Sequence, residues 1–254
     1  MRIYNSLTDK VEEFKPINEG KVTMYVCGPT VYNYVHVGNM RPVITFDMVY
    51  KYLKYLGYDV KYASNYTDIN PKITKAAETL GMTEREVADK FIKAYEEDLK
   101  NYNCSNIDYR PRVINYLDDI FNFISKLIEK DYAYVVDGDV YFRVSEIKDY
   151  GILSNQSIEE LISGSRVDID EKKENPLDFA LWRKTNEGET FTSPWGEGIP
   201  GWHTECVVMI NKLFGDKIDI HAGGVDLKFP HHENEIAQSI ALNNNYIANY
   251  WMHN

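Results

Sequence analysis

The sequence predicts an α/β protein built on a parallel sheet, and three segments support that prediction. Lys21 to Cys27 alternates and stops at Gly28-Pro29, which is typical of a buried strand that ends in a loop. The apolar residues of Arg41 to Leu56 recur at the spacing of an amphipathic helix, and Val60 to Tyr66 predicts a second strand. Because a strand, a helix and a strand in succession form a βαβ unit, we expect a ligand site at the carboxyl ends of the strands.

Two helices and a hairpin are predicted next along the chain. Thr83 with Glu86 has the form of a capping box that opens a helix to about Tyr102. Arg112 to Lys130 predicts a second amphipathic helix. Asp137-Gly138-Asp139 stands between two runs rich in β-branched and aromatic residues and has the composition of a tight hairpin turn. We therefore expect a helix and hairpin region in the middle of the chain.

The α/β pattern returns towards the C-terminus. Gly151 to Glu174 is polar, and Thr185 to Gly201, which is rich in Gly, Pro, Glu and Thr, is predicted to be irregular. Ile218 to Ile220 predicts a short strand, His231 to Leu242 a helix and Tyr250 to Met252 a further strand.

This order of elements predicts one nucleotide-binding domain that is interrupted by an insertion. In this prediction, residues 1–112 form the first half of the domain and residues 202–254 form the second half. The connecting insertion spans residues 113–201, with approximate boundaries.

Composition restricts the class of protein. The chain has 254 residues, 44% of them hydrophobic and 26% charged, as in soluble globular proteins. Its net charge of −11 argues against non-specific binding of nucleic acid, because the phosphate backbone favours clustered Lys and Arg. No apolar run approaches the roughly 18–20 residues that span a bilayer. The first residues lack the apolar core of a signal peptide, and an odd number of distant cysteines fits a reducing cytoplasm.

A set of side chains suited to zinc is spread along the chain: Cys27, Cys206, His231 and Glu235. His231 and Glu235 are four residues apart on a predicted helix, so both side chains project from one face. Two thiolates, an imidazole and a carboxylate are side chains that can together ligate zinc. The pattern alone leaves ordinary packing or a surface pair open, because no close-spaced cysteine pair is present. Rival ligands are Cys104, His203, His221 and His232; His203 could also orient a ligand or touch substrate.

A candidate nucleotide-binding loop opens the first predicted helix. Its sequence is His36-Val37-Gly38-Asn39. Gly38 has no side chain, so an adenine or ribose can approach the backbone closely. His36 and Asn39 can donate hydrogen bonds to a phosphate at the positive end of the helix. As a bare pattern these four residues are weak evidence.

Longer segments give this loop a context. Tyr25 to Tyr32, running into His36 to Asn39, resembles the first signature of the cysteinyl-tRNA synthetases, class I enzymes that carry the HIGH motif. Pro200 to Cys206 resembles their second signature, and Asp219 to Glu235 resembles their third. The resemblance runs in order through the whole chain. It implies a Rossmann-like parallel sheet with the HIGH motif, interrupted by a connecting-peptide insertion.

The resemblance also implies roles for individual residues. It implies one Zn²⁺ per chain, completed by the substrate thiolate and held by Cys27, Cys206, His231 and Glu235. It implies that charge on the α-phosphate is stabilised by His36 and Asn39. It implies contacts to ATP from Gly38, Gly224 and Asp226, and contacts to the amino acid from Thr67, Trp202 and His221.

The implied activity is the formation of cysteinyl-adenylate from L-cysteine and ATP with Mg²⁺, followed by transfer to tRNA(Cys). Zinc would select the thiolate, so serine would be rejected without an editing domain. The family continues into a KMSKS loop and an anticodon-reading domain beyond Asn254. We therefore expect a fragment with reduced or no activity, whose full-length form contacts tRNA mainly through the C-terminal portion.

Two departures and two alternatives remain. Asn39 stands where the HIGH motif ends in His, but Asn is also a hydrogen-bond donor. Asn70-Pro71 replaces acidic residues of the family, which leaves the role of that loop open.

Two other functions are compatible with these motifs. A ligase that joins cysteine to a small amine would share the same site. A non-catalytic module that binds zinc or thiols is the second alternative.

Overall fold

The structure is a computed structural model that describes residues 1–156 and 171–254, and these fall into two compact units. The first unit consists of Met1–Asn115, Lys217–Val225 and Ala248–Asn254. The second unit consists of Asp226–Ile247 and the described part of Tyr116–Asp216. The predicted division at residues 112 and 201 stays a prediction.

The strands of the described residues are β1 (Arg2–Asn5), β2 (Lys10–Glu13), β3 (Lys21–Val26), β4 (Asp59–Ala63), β5 (Ala133–Val136), β6 (Asp139–Phe142), β7 (Phe179–Lys184), β8 (Phe191–Ser193), β9 (Gly196–Pro200), β10 (Ile218–Gly223) and β11 (Ala248–His253). The α-helices are α1 (Val37–Tyr55), α2 (Pro71–Leu80), α3 (Glu84–Asn101), α4 (Leu117–Glu129), α5 (Glu205–Phe214) and α6 (Glu233–Asn243). Among the described residues, no helix combines the length and apolar character that crossing a membrane requires.

The first unit is built on a four-stranded parallel sheet in the order β11-β10-β3-β4. Because β3 pairs in parallel with β4 and α1 connects them, the predicted βαβ unit is confirmed. Met24 of β3 lies opposite Ile220 of β10, which in turn lies opposite Tyr250 of β11. The carboxyl ends of these four strands therefore meet at one edge. The antiparallel pair β1-β2 of the same unit was not predicted.

Polar residues set the N-terminus of α1. The helix begins four residues before the predicted apolar period, because His36 and Asn39 form a capping box around its first turn. Polar capping residues carry no apolar periodicity, so the period could not show them. On α3, the capping box of Thr83 and Glu86 is present as predicted.

Helix α2 was not predicted, and its cap explains the departure at Asn70-Pro71. The Asn70 side chain accepts a hydrogen bond from the Lys72 N–H at 3.1 Å, and Pro71 occupies the first helical position. An Asn at the cap followed by Pro is a favourable helix start. These two residues therefore have a structural role at the N-terminus of α2.

The core of the first unit is packed between its sheet and α1. Phe46 and Leu53 of α1 are almost fully buried against Val22, Met24 and Ile220 of the strands. Full burial of a side chain such as Leu53 contributes about 1.5–3 kcal/mol. This packing stabilises the strands from which the loops after β3, β4 and β10 begin.

The second unit contains an antiparallel sheet in the order β5-β6-β7-β9-β8. The predicted hairpin is confirmed by the pairing of β5 with β6 around Asp137-Gly138. The prediction that Thr185 to Gly201 is irregular is wrong, because this segment holds the hairpin of β8 and β9. Because the segment is rich in Gly and Pro, it lacks the alternation of apolar and polar residues that predicts a strand. The pairing of Trp182 with Pro200 and of Lys184 with Gly198 supplies stability that local composition does not show.

Three helices of the second unit, α4, α5 and α6, contact one another. Helix α4 begins at Leu117 after a 3-10 turn at Val113–Tyr116, so the predicted helix from Arg112 starts late. Helix α6 begins at Glu233, two residues after the predicted start, because His231 lies in a π-helical turn at Lys228–His232. Of the polar stretch Gly151 to Glu174, residues 157–170 lie outside the described residues.

Candidate active site

Cys27 follows β3 in the first unit, beside the segment that follows β4. Its N–H donates to the Ala222 carbonyl at 3.0 Å. The Gly28 N–H donates to Asn65 Oδ1 at 2.9 Å, and a Cβ on Gly28 would lie 1.7 Å from the Asn65 carbonyl oxygen, so only glycine fits. The Asn65 amide donates to Thr67 Oγ1 at 3.2 Å. Asn65, which sequence analysis missed, therefore ties the loop after Cys27 to buried Thr67.

The loop before α1 is held by two local hydrogen bonds. His36 Nδ1 accepts from the Gly38 N–H at 3.0 Å, and Asn39 Oδ1 accepts from the His36 N–H at 3.1 Å. With Nδ1 as the acceptor, the ring proton of neutral His36 is on Nε2. The Nε2–H of His36 and the amide nitrogen of Asn39 then remain as donors. They stand at the N-terminus of a 19-residue helix, where the helix dipole favours an anion.

His221 lies on the central strand β10 and is completely buried. Its Nδ1 is 3.2 Å from the carbonyl oxygen of Tyr25. Since a carbonyl only accepts, Nδ1 carries a proton in this contact, and in the neutral tautomer that satisfies it Nε2 is the acceptor. The rings of Tyr25 and Trp251, on the two neighbouring strands, pack against the imidazole at 5.5 and 4.7 Å between centroids. The orientation of His221 is therefore fixed by the sheet.

Gly224 and Asp226 follow directly after β10. Gly224 is buried, whereas Asp226 is exposed. Between them, the Val225 N–H donates to the Asn254 carbonyl at 3.0 Å and holds this turn to the end of β11. Gly224, which follows the central strand β10 directly, is at the carboxyl end of that strand, where parallel α/β sheets bind ligands.

In the second unit, the structure brings together Cys206, His231 and Glu235. Cys206 is in the first turn of α5, His231 is in the π-helical turn two residues before α6, and Glu235 is in the first turn of α6. His231 Nε2 is 3.8 Å from Cys206 Sγ and 2.9 Å from Glu235 Oε1. The three side chains are at most 2% exposed. They form one buried cluster of a thiol, an imidazole and a carboxylate.

Two residues of the loop between β9 and α5, Trp202 and His203, contact His231 of this cluster. The Trp202 ring stacks on the His231 imidazole with centroids 4.3 Å apart and planes at 22°, while 39% of Trp202 stays exposed. His203 Nδ1 lies 3.1 Å from His231 Nδ1. The Gln238 amide, which sequence analysis missed, donates to the His203 carbonyl at 2.8 Å. Its only sequence signal is its position one turn beyond Glu235 on the same helix.

The electrostatics of the cluster favour a cation. Burial opposes a charged imidazole, but the Glu235 carboxylate and the Cys206 sulfur outweigh burial and raise the pKa of His231 to about 10. Burial and the nearby charge of His231 lower the pKa of His203. His231 is therefore the cationic ring of the pair, and His203 is the neutral one.

The cluster fits the chemistry of zinc. The ligand-type atoms of Cys206, His231 and Glu235 lie within 4.8 Å of one another, and a buried thiol, imidazole and carboxylate are zinc donors. Of the rivals, His232 Nδ1 or Nε2 also lies within 4.8 Å of a Glu235 oxygen. The Cys104 thiol instead donates to the Tyr102 carbonyl at 3.3 Å, and burial raises its pKa. The three cysteines, all within the described residues, form no disulfide.

Fold and site together define the catalytic domain of a class I tRNA synthetase. The chain belongs to this family, since the family model for the "tRNA synthetases class I (C) catalytic domain" matches residues 13–254. The resemblance to the cysteinyl-tRNA synthetases is thereby confirmed. The fold is also similar to that of Mycobacterium tuberculosis methionyl-tRNA synthetase in complex with methionyl-adenylate, at a TM-score of 0.67 and 13% identity over 92% of this chain and 56% of that one.

Curated relatives are considerably longer than this chain. A cysteine-tRNA ligase of Exiguobacterium sibiricum is 58% identical over the whole chain, which covers 55% of that protein. Cysteine-tRNA ligases of Anoxybacillus flavithermus and Acholeplasma laidlawii are 56% and 55% identical, with 55% and 58% of their lengths covered. The chain therefore spans little more than half the length of these relatives.

Proposed function

We propose that the protein that contains this chain is a cysteine-tRNA ligase. It joins L-cysteine to ATP as cysteinyl-adenylate, with release of pyrophosphate, and transfers the cysteinyl group to tRNA(Cys). The buried cluster of Cys206, His231 and Glu235, found in a chain of this family, is the observation that carries the proposal. The names of the curated relatives support the same amino acid.

The proposed zinc ligands are Cys27, Cys206, His231 and Glu235. When bound, Zn²⁺ supplies a thiophilic Lewis acid that distinguishes a thiolate from a hydroxyl. Glu235 holds the Nε2 edge of His231 at 2.9 Å, so the imidazole is oriented before any ligand arrives. The stacked Trp202 ring covers one face of the same imidazole.

The proposed ATP contacts come from the loops of the first unit. His36 and Asn39 donate to the α-phosphate, where negative charge grows as the amino-acid carboxylate attacks. Their capping bonds hold both donors in place before the reaction, which lowers the cost of aligning them. Gly38 allows close approach, and Gly224 with Asp226 holds the ribose. Mg²⁺ accompanies ATP as part of the substrate.

The proposed amino-acid contacts are Thr67, Trp202 and His221. Thr67 is positioned by Asn65, and His221 offers a fixed acceptor because its Nδ1 proton is engaged by Tyr25. Fixed groups of this kind align a small substrate at low entropic cost.

tRNA(Cys) is the proposed macromolecular partner and the cytoplasm the proposed location. The net charge of −11 argues that stable tRNA binding depends on the part of the relatives that this chain does not cover.

Substitution of single cysteines tests the zinc site. We expect the chain to bind one Zn²⁺, and Cys206→Ser to abolish stoichiometric binding, because serine is a far weaker zinc ligand than a thiolate. Cys104→Ser is the matched control, since Cys104 is also buried but bonds to a backbone carbonyl. Metal content after gel filtration gives the stoichiometry. Undiminished zinc in Cys206→Ser would contradict the proposal.

A second assay tests the reaction. The full-length protein is expected to catalyse cysteine-dependent exchange between ATP and pyrophosphate. Absence of exchange, with zinc and cysteine still bound, would favour a non-catalytic thiol-binding module. Exchange without transfer to tRNA(Cys), but with transfer to a small amine, would favour the other kind of cysteine ligase.

A further inference from the structure

His203 contacts the side of His231 that is remote from Cys206 and Glu235. The two Nδ1 atoms lie 3.1 Å apart, whereas His231 Nε2 is the atom nearest to Cys206 and Glu235. Each nitrogen of His231 therefore has a defined neighbour within the second unit. This contact is outside the set of residues that the proposed function uses.

If His231 binds a metal through Nε2, that bond determines which of the two Nδ1 atoms donates the hydrogen bond between His231 and His203. If Nε2 of neutral His231 gives its lone pair to a metal, its single ring proton must be on Nδ1. That N–H is buried, and a buried donor without an acceptor costs about 1–3 kcal/mol. The nearest acceptor is Nδ1 of His203, which accepts only if the proton of neutral His203 is on Nε2. The Nδ1–H tautomer of His231 and the Nε2–H tautomer of His203 therefore occur together. The Nδ1 acceptor of His203 stabilises the His231 tautomer whose Nε2 lone pair is available to the metal.

The main chain of His203 is fixed by Gln238. The Gln238 amide nitrogen donates to the His203 carbonyl at 2.8 Å and to the Asn234 carbonyl at 3.0 Å. Because both partners only accept, the orientation of this amide is unambiguous. Phe179 packs its ring edge-on against the His203 imidazole at 5.6 Å, with planes at 74°. His203 is therefore held from its main chain and from its ring.

We propose that His203 is a positioning residue that fixes His231 in the tautomer that presents Nε2 to the metal, and that Gln238 holds His203 in place. The inference rests on the proposed zinc site. Groups that accept the second ring proton of a metal-bound histidine typically alter metal affinity by about 10–100-fold. In this proposal His203 acts on the metal through His231, whose Nδ1 it contacts at 3.1 Å, and is not itself one of the proposed ligands.

The test compares two substitutions at the same position by zinc affinity in competition with a chelator. His203→Leu removes the acceptor but keeps apolar volume against Phe179, and we expect zinc to bind about 10–100-fold more weakly. His203→Asn places an amide oxygen near the position of Nδ1 and is expected to recover most of that loss. Gln238→Met, which lacks the donor, is expected to cause a smaller loss. The visible absorption of the Co²⁺-loaded chain reports whether the ligand geometry changes in parallel.

The matched control is Ser239→Ala. Ser239 is buried on the same helix, and its hydroxyl bonds to Asn245 rather than to His203. Equal zinc affinity in His203→Leu and the unaltered chain would overturn the inference, and so would equal losses in His203→Leu and His203→Asn. Failure of the unaltered chain to bind zinc would overturn the proposed function as well. The stoichiometry of the unaltered chain therefore separates the two failures.

Discussion

His231 shows how several weak constraints fix one side chain. A carboxylate lies 2.9 Å from its Nε2, an imidazole nitrogen lies 3.1 Å from its Nδ1, and an indole stacks on its face. An isolated buried imidazolium would lose its proton, but Glu235 and Cys206 reverse that tendency. The same charge balance that favours a proton at this position favours a metal cation.

Gly38→Ala, which adds a single methyl group, tests the proposed phosphate-binding loop. The added Cβ would lie 2.8 Å from Cε1 of His36, which is too close, so the imidazole ring must move. This is the ring whose Nε2–H is proposed to donate to the α-phosphate. Loss of one preorganised donor costs about 10²–10³-fold in kcat. We expect a fall of that order in ATP–pyrophosphate exchange by the full-length protein.

The control for Gly38→Ala is Val37→Ala, which changes an exposed side chain in the same turn. It is expected to leave the exchange rate almost unchanged. If Gly38→Ala keeps full activity with a normal KM for ATP, His36 has no role at the phosphate.

The elements that the sequence predicted best are those whose hydrophobic period and caps agree. The apolar spacing of Arg41 to Leu56 located α1, and the capping box of Thr83 and Glu86 located α3. Pairing between distant segments was harder to predict, because neither strand of the β8-β9 hairpin carries a clear alternation by itself. The helix α2 was missed because its start depends on an Asn cap and a Pro, residues that also occur in turns.

The capping box of α3 makes a prediction about pH. Glu86 accepts hydrogen bonds from the Thr83 N–H and hydroxyl, which lower the pKa of Glu86. A carboxylate whose pKa is lower in the folded state stabilises the fold above its unfolded-state pKa, and that contribution is lost as pH falls through the lowered value. We expect Glu86→Gln to destabilise the chain at neutral pH, with the difference shrinking at acid pH.

Urea unfolding midpoints measured between neutral and acid pH check this expectation. Glu78→Gln, an exposed change on α2 outside any cap, is the control and is expected to show no such trend. A difference between Glu86→Gln and the unaltered chain that stays constant with pH would contradict the capping account.

At the scale of the whole molecule, the sequence predicted the class of fold and the segments that hold the site. The parallel sheet, the βαβ unit and the nearness of His231 to Glu235 all follow from local spacing. That His203 could orient a ligand was among the predictions, but its hydrogen bond from Gln238 could not be predicted, because it joins residues 35 positions apart through a main-chain carbonyl. The roles of Thr67, Trp202 and Asp226 stay predictions that rest on the family resemblance.

The central claim is that a zinc site selects cysteine, and calorimetric titration of the zinc-loaded chain tests it most directly. The chain is titrated with cysteine and with serine, and both titrations are repeated after the metal has been removed by a chelator. We predict that cysteine binds, that serine does not, and that chelation abolishes the binding of cysteine. Equal binding of serine, or cysteine binding that survives complete removal of zinc, would contradict the account.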